Sequence, residues 1–250
     1  MFSVNLFDGF TGRAQALREI IRYDMPQRTP MFYRTNLFLH SKRVHLLVKD
    51  VLEQFESPDF DSKKALTLAL VHDDAEIITG DVQLYIKERM TPEQLKGVEL
   101  AEMQAIEVLA DRWPKNVNGF NYKDLLLHAL HKDCPEAQVV SYCDKIDAYC
   151  EALHEVFAGN LNFIEPATNY VKRIGELPVK FPFLKTAIPS SHPLLSLPSD
   201  FDIETAVKNG TFHNIETIKK ISGIPHYDRW KEITISYLGN GALIDLKEHE

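Results

Sequence analysis

Six uncharged residues, Leu66 to Val71, run straight into the adjacent pair His72-Asp73, and Asp74 and Glu76 follow at once. An imidazole and three carboxylates at the end of an apolar stretch would cost several kcal/mol each if buried without partners. A divalent metal ion is the most economical partner, because histidine offers a neutral nitrogen and aspartate a hard oxygen. Two further residues of ligand type lie elsewhere. His40 falls on the apolar stripe Leu37, His40, Val44, Leu47, Val51, Phe55, and Asp144 stands four residues after Val140. His72 and Asp73 likewise stand four after Leu68 and Ala69, so core-facing positions of three helices each carry such a group. Two histidines and two carboxylates leave room for water around an octahedral ion. Taken singly, each has an ordinary alternative. A lone histidine on an apolar stripe is commonly a hydrogen-bonded core residue, Asp144 can pair with Lys145, and Asp147 competes with it one turn on.

Helical periodicity supplies the elements that must hold these groups. It predicts a short helix over Ala14 to Tyr23, another over Asn36 to Phe55, and a third over Ala65 to Ile78, capped by Asp61 or Ser62 and stopped by Gly80. Thr91-Pro92 opens a helix that runs through Leu109, Trp113 to Gly119 reads as a loop, and Tyr122 to His131 is helical again. Pro135 opens the last strong helix, with Val139, Val140, Cys143, Ile146, Cys150 and Leu153 on its inner side. Six of the 13 prolines lie between Pro166 and Pro198, too densely for long helices. Helical spacing returns over Ile203 to Val207 and Asn214 to Ile221, and the β-branched run Ile233 to Leu238 is the one expected strand. The expected architecture is an all-α multi-helix bundle over residues 1–165, with a proline-rich, partly helical extension over 166–250 packed on it.

The net charge of -8 argues against nucleic acid as the main partner, since that binding draws on clustered Lys and Arg. No apolar run approaches the ~20 residues that span a bilayer, and the first residues carry no basic stretch of the secretory kind, so a cytoplasmic protein is expected. Cys134, Cys143 and Cys150 form neither a zinc-type pair nor an even disulfide framework and read as reduced thiols. His128 and His131, one turn apart, can serve a second metal or a proton relay, with buried helix histidines as the alternative.

The segments Arg34-Thr-Asn-Leu-Phe-Leu-His-Ser41, Val71-His-Asp-Asp-Ala-Glu-Ile-Ile-Thr-Gly-Asp81 and Tyr142-Cys-Asp-Lys-Ile-Asp147 resemble, in this order, the signature segments of the HD-domain metal-dependent phosphohydrolases. The central segment is similar to that of the 5′-deoxynucleotidase branch. The resemblance implies that His40, His72, Asp73 and Asp144 hold one divalent ion (Mn, Co, Fe, Ni or Mg). It also implies that Glu76 assists proton transfer around the attacking water and that Asp81 contacts the sugar or the reacting centre. The implied reaction releases phosphate from nucleoside or deoxynucleoside 5′-monophosphates. A nucleotide triphosphohydrolase, a phosphodiesterase and a degenerate ligand-binding module are the alternatives. Dimers are common among such proteins. The branch usually has an Arg-Trp pair before the first histidine, whereas Pro26 to Pro30 has no tryptophan, so Arg28 and Arg34 are the candidates for phosphate contact.

Overall fold

Apolar residues spaced by three and four do form helices, and the described chain is all-α apart from one pair of two-residue strands. The computed structural model describes residues 6–24, 31–53, 55, 57, 59–187 and 225–238. In chain order the elements are α1 (Arg13–Glu19), α2 (Leu37–Leu52), α3 (Ser62–Val71), α4 (Glu76–Thr79), α5 (Leu84–Lys87), α6 (Pro92–Arg112), β1 (Asn116–Val117), β2 (Phe120–Asn121), α7 (Tyr122–His131) and α8 (Pro135–Phe157). A 3-10 turn (Leu161–Phe163) leads to α9 (Ile164–Lys180), α10 (Phe183–Ala187) and α11 (Pro225–Leu238). No helix among the described residues is long and apolar enough to cross a membrane.

Two compact units emerge: residues 1–24, 35–45 and 60–141, and residues 25–34, 46–59 and 142–250. In the first, α6 packs on α7 and α4, and α3 packs on α7. Thr91 caps α6 by a reciprocal pair of bonds with Gln94, and Pro92 occupies the first helical position. The expected loop after Trp113 is a hairpin: Asn118 (φ 53°) and Gly119 (φ 91°) both take the left-handed region, as a two-residue turn of this hand requires. The expected helix over Ala14 to Tyr23 stops early, at Glu19. Ile21 instead bridges Asn36 in antiparallel fashion, with Arg22 N–H donating to Thr35 O (3.0 Å) and Leu37 N–H to Ile20 O (3.1 Å).

The second unit corrects two expectations. Despite Pro166 and Pro178, α9 runs for 17 residues. Pro166 lies in the first turn, where no acceptor is needed for its nitrogen, and Pro178 lies in the last, where it removes one bond. Ala167, Tyr170, Ile174 and Leu177 form its buried stripe. The run Ile233 to Leu238 is helical, not a strand, because it continues α11, whose Tyr227, Trp230, Ile233 and Thr234 are buried at helical spacing. Trp230 donates its indole N–H to Asp147 (2.6 Å), and Arg229 pairs with Asp50. The Glu155 carboxylate receives the backbone N–H groups of Phe32 (2.8 Å) and Tyr33 (2.9 Å) and the Asn160 amide (2.8 Å). The expected helices at 203–207 and 214–221 lie outside the described residues.

Candidate metal centre

The helix bearing the central pair does not run on to Ile78. Asp61 caps α3 by accepting from Lys64 N–H (2.9 Å), and α3 ends at Val71. His72 to Ala75 then tighten into three-residue turns, with Asp74 N–H donating to Val71 O (2.9 Å) and Glu76 N–H to Asp73 O (3.0 Å). The cause is the side chain of Asp74, which is drawn into the interior. Arg13 grips both of its oxygens and Tyr122 donates its hydroxyl (2.8 Å). Burial still raises the Asp74 carboxyl above its ordinary range, with Arg13 and Tyr122 opposing the rise.

This turn brings His72 and Asp73 beside His40, which is fully buried. Asp73 Oδ2 lies 3.2 Å from His40 Nε2 and 3.3 Å from His72 Nε2. Adjacent ligands of an octahedral ion with bonds near 2.1 Å are separated by about 3 Å, so the spacing already matches a ligand face. His72 gives the sharper test. Its Nδ1 is bonded to Ala69 O (2.8 Å), and a carbonyl only accepts, so Nδ1 carries the proton. His72 Nε2 is left to face Asp73 Oδ2; it is buried and has no hydrogen-bond partner among the described residues. A neutral imidazole turns a lone pair toward the carboxylate in this arrangement, and a cation between the two relieves the repulsion. The donor set of two imidazoles and a carboxylate fits a divalent transition ion.

Around this face stand more charges. Glu76 Oε2 is shut away from solvent with no hydrogen-bond partner among the described residues. Burial raises the Glu76 carboxyl well above the usual range, the Asp73 and Asp81 carboxylates add to the rise, and Arg22 and Lys87 oppose it. Burial works against the charge of Lys87, but its ion pair with Glu102 (3.0 Å) outweighs that and raises it. Gln83 donates its amide to Asp81. Arg22, nearly fully buried, stands 4.0 Å from Asp73 Oδ2, with its guanidinium 5.5 Å from the ring centre of Tyr23.

Helical spacing puts Arg22 and Tyr23 at the end of a helix and leaves Arg28 and Arg34 as the expected arginines, so this pair is not among the expected site residues. The signal available was the adjacency of the two residues, Arg22-Tyr23, just before the first-histidine segment. Of the two arginines expected to meet phosphate, Arg28 lies outside the described residues, and Arg34 is exposed. Asp144 belongs to the second unit, where Lys145 pairs with it. Cys143 and Cys150 are buried and Cys134 half-buried, and none of the three forms a disulfide among the described residues.

A model of the family described as 5′-deoxynucleotidase YfbR-like matches residues 10–190. A 5′-deoxynucleotidase of Vibrio parahaemolyticus is 33% identical over 96 residues, 38% of this chain and 48% of that protein, so the match spans about half of the relative's length. A 5′-deoxynucleotidase of Shewanella oneidensis is 28% identical over 154 residues, covering 58% of this chain and 75% of the relative. The 4′-phosphooxetanocin A phosphatase of Priestia megaterium is 27% identical over 175 residues, covering 68% and 84%. Among solved structures, a conserved hypothetical protein from Pyrococcus furiosus superposes with a TM-score of 0.50 at 21% identity, over 70% of this chain and 92% of that one, a likeness of fold. With the paired histidines, the His-Asp turn and a match over residues 10–190 in agreement, the chain belongs to the YfbR-like 5′-deoxynucleotidase family.

Proposed function

We propose that this protein is a metal-dependent phosphohydrolase that releases phosphate from deoxynucleoside 5′-monophosphates. The observation that carries the reading is the buried His72 Nε2, without a hydrogen-bond partner among the described residues, beside Asp73 and His40, a face that a divalent ion would complete. His40, His72 and Asp73 hold the ion, and Asp144 joins the proposed set on sequence resemblance alone. A divalent ion supplies a nucleophilic water at neutral pH and polarises a phosphoryl oxygen.

The remaining work falls to the side chains. Arg22 carries a guanidinium, shaped for bidentate binding of a phosphate. Arg28 and Arg34 keep their proposed part in gathering the nucleotide. Glu76 has a carboxyl whose raised proton affinity suits passing a proton to or from the attacking water. Asp81 is proposed to meet the sugar or the reacting centre. The names of the relatives, 5′-deoxynucleotidases and a 4′-phosphooxetanocin A phosphatase, support a phosphate ester of the nucleotide type as substrate.

The test is phosphate release from deoxynucleoside mono-, di- and triphosphates by metal-free protein, then with Mn²⁺, Co²⁺ or Mg²⁺ restored. The expected result is metal-dependent release from monophosphates above that from triphosphates. Release of pyrophosphate or triphosphate from a triphosphate, with monophosphates untouched, would overturn it in favour of a triphosphohydrolase. Metal binding without hydrolysis of any of them would favour a ligand-binding module.

A further inference from the structure

The geometry points to a second metal site, of softer character, formed by His128, Asp133 and Cys134 where α7 ends and α8 begins. The sequence suggests His128 with His131, but His131 Nδ1 instead stands 4.0 Å from a carboxylate oxygen of Glu99. The residues that join His128 come from beyond the helix. Lys132 takes the left-handed region (φ 55°), its N–H closing on His128 O (2.8 Å), and this reversal carries Asp133 and Cys134 back to the histidine. His128 Nδ1 lies 2.6 Å from Asp133 Oδ1, and one donor atom from each of the three side chains lies within 4.8 Å of the others. A tetrahedral ion with bonds of roughly 2.0–2.3 Å separates its ligands by about 3.3–3.7 Å, so small rotations of half-exposed side chains close the set.

Cys134 stands at the start of α8, its carbonyl receiving Gln138 N–H (3.1 Å). Burial and the Glu136 carboxylate raise its thiol above the ordinary range, with the Ala137 N–H and Lys64 opposing the rise, so an ion bound here would have to displace the thiol proton. Lys64 Nζ lies 3.5 Å from Cys134 Sγ and 3.4 Å from Glu136. A divalent ion and Lys64 would balance the charges of Asp133, Glu136 and a Cys134 thiolate, leaving the cluster neutral. Sulfur, imidazole and one carboxylate select Zn²⁺, with Co²⁺ as its spectroscopic substitute, and partial exposure leaves a fourth position to water. The centre around Asp73, by contrast, has no sulfur ligand. The two sites are therefore separable, and this inference stands whatever reaction the first one performs.

The test is Co²⁺ titration of the full chain, followed by absorption. The expected signature is a thiolate-to-cobalt charge-transfer band in the near ultraviolet, bleached by one equivalent of Zn²⁺. Cys134→Ala and His128→Ala should abolish the band, Asp133→Asn should weaken Co²⁺ binding at least tenfold, and Asp73→Ala should leave the band intact. Circular dichroism of each variant separates loss of binding from loss of fold. Absence of the band in the parent, or its survival in a folded Cys134→Ala protein, overturns the proposal.

Discussion

Arg13 holds Asp74 with a two-pronged grip, Nε to Oδ2 and Nη2 to Oδ1, each at 2.6 Å, and both side chains are nearly sealed from solvent. The residue gripped is the immediate neighbour of Asp73, so α1 reaches across the first unit to fix the turn that presents the proposed metal face. Removing one partner of such a pair strands a buried charge, which typically costs about 3–5 kcal/mol. Arg13→Leu should therefore lower the urea midpoint sharply, and Arg13→Leu with Asp74→Leu should recover a large part of the loss. A single substitution costing under about 1 kcal/mol would mean that the pair holds nothing in place.

Asp73→Ala and His72→Ala should each strip the first metal. Metal at 100 times its Kd stabilises a folded protein by about 2.7 kcal/mol, so the parent's melting temperature should climb with added Mn²⁺ and the variants' should not. An unchanged metal response in either variant would remove that residue from the ligand set.

Glu76→Gln is expected to keep the metal and lose about 10² to 10⁴ in kcat, the usual share of a general acid or base. Metal content and turnover should be measured on the same preparation. A kcat within about threefold of the parent reduces Glu76 to a bystander.

Arg22→Met, in the proposed reading, should raise KM for deoxynucleoside monophosphates or lower kcat while the protein still binds metal. Arg34→Ala should act in the same direction but less strongly, since its side chain is exposed. Equal kinetics for Arg22→Met and the parent would withdraw the arginine from phosphate binding.

Glu155 gives a pH dependence with a definite sign. Burial raises its carboxyl above the ordinary glutamate value and Glu151 adds to this, although Phe32, Tyr33 and Asn160 donate to it. The folded value thus exceeds the unfolded one of about 4.3. Below that pH both states hold the proton; as pH rises toward the folded value the unfolded state releases it first, and stability falls. Glu155→Gln should flatten that decline, so the stability difference moves in the variant's favour from pH 4 upward. A difference that is constant with pH, or that runs the other way, would contradict the assignment.

Much of this was legible in the residues alone. The α2 stripe named His40 because Leu37, Val44, Leu47 and Val51 are buried at its own spacing, and the Thr91-Pro92 start of α6 carried its own cap. What escaped were features decided by distant partners. Nothing local announces that Asp74 will turn inward, because the reason is Arg13, 61 positions away. Ile20 and Ile21 looked like the end of a helix until their backbone met Thr35 to Leu37. The β-branched run at Ile233 gave a strand by composition, while the three- and four-residue spacing back to Tyr227 and Trp230 was the better guide. The position of Arg22 and the early stop of α1 share a long-range cause, the pairing of Ile21 with Asn36.

The bridge between Ile21 and Asn36 joins the residue before Arg22 to the residue before the helix that bears His40. Arg22 and His40 are thus tied to one another through backbone hydrogen bonds, which any side chain at position 21 leaves in place. Position 21 is therefore free to drift in sequence, while a proline at position 37 would remove the Leu37 N–H, cost one of the two bonds and loosen the arginine.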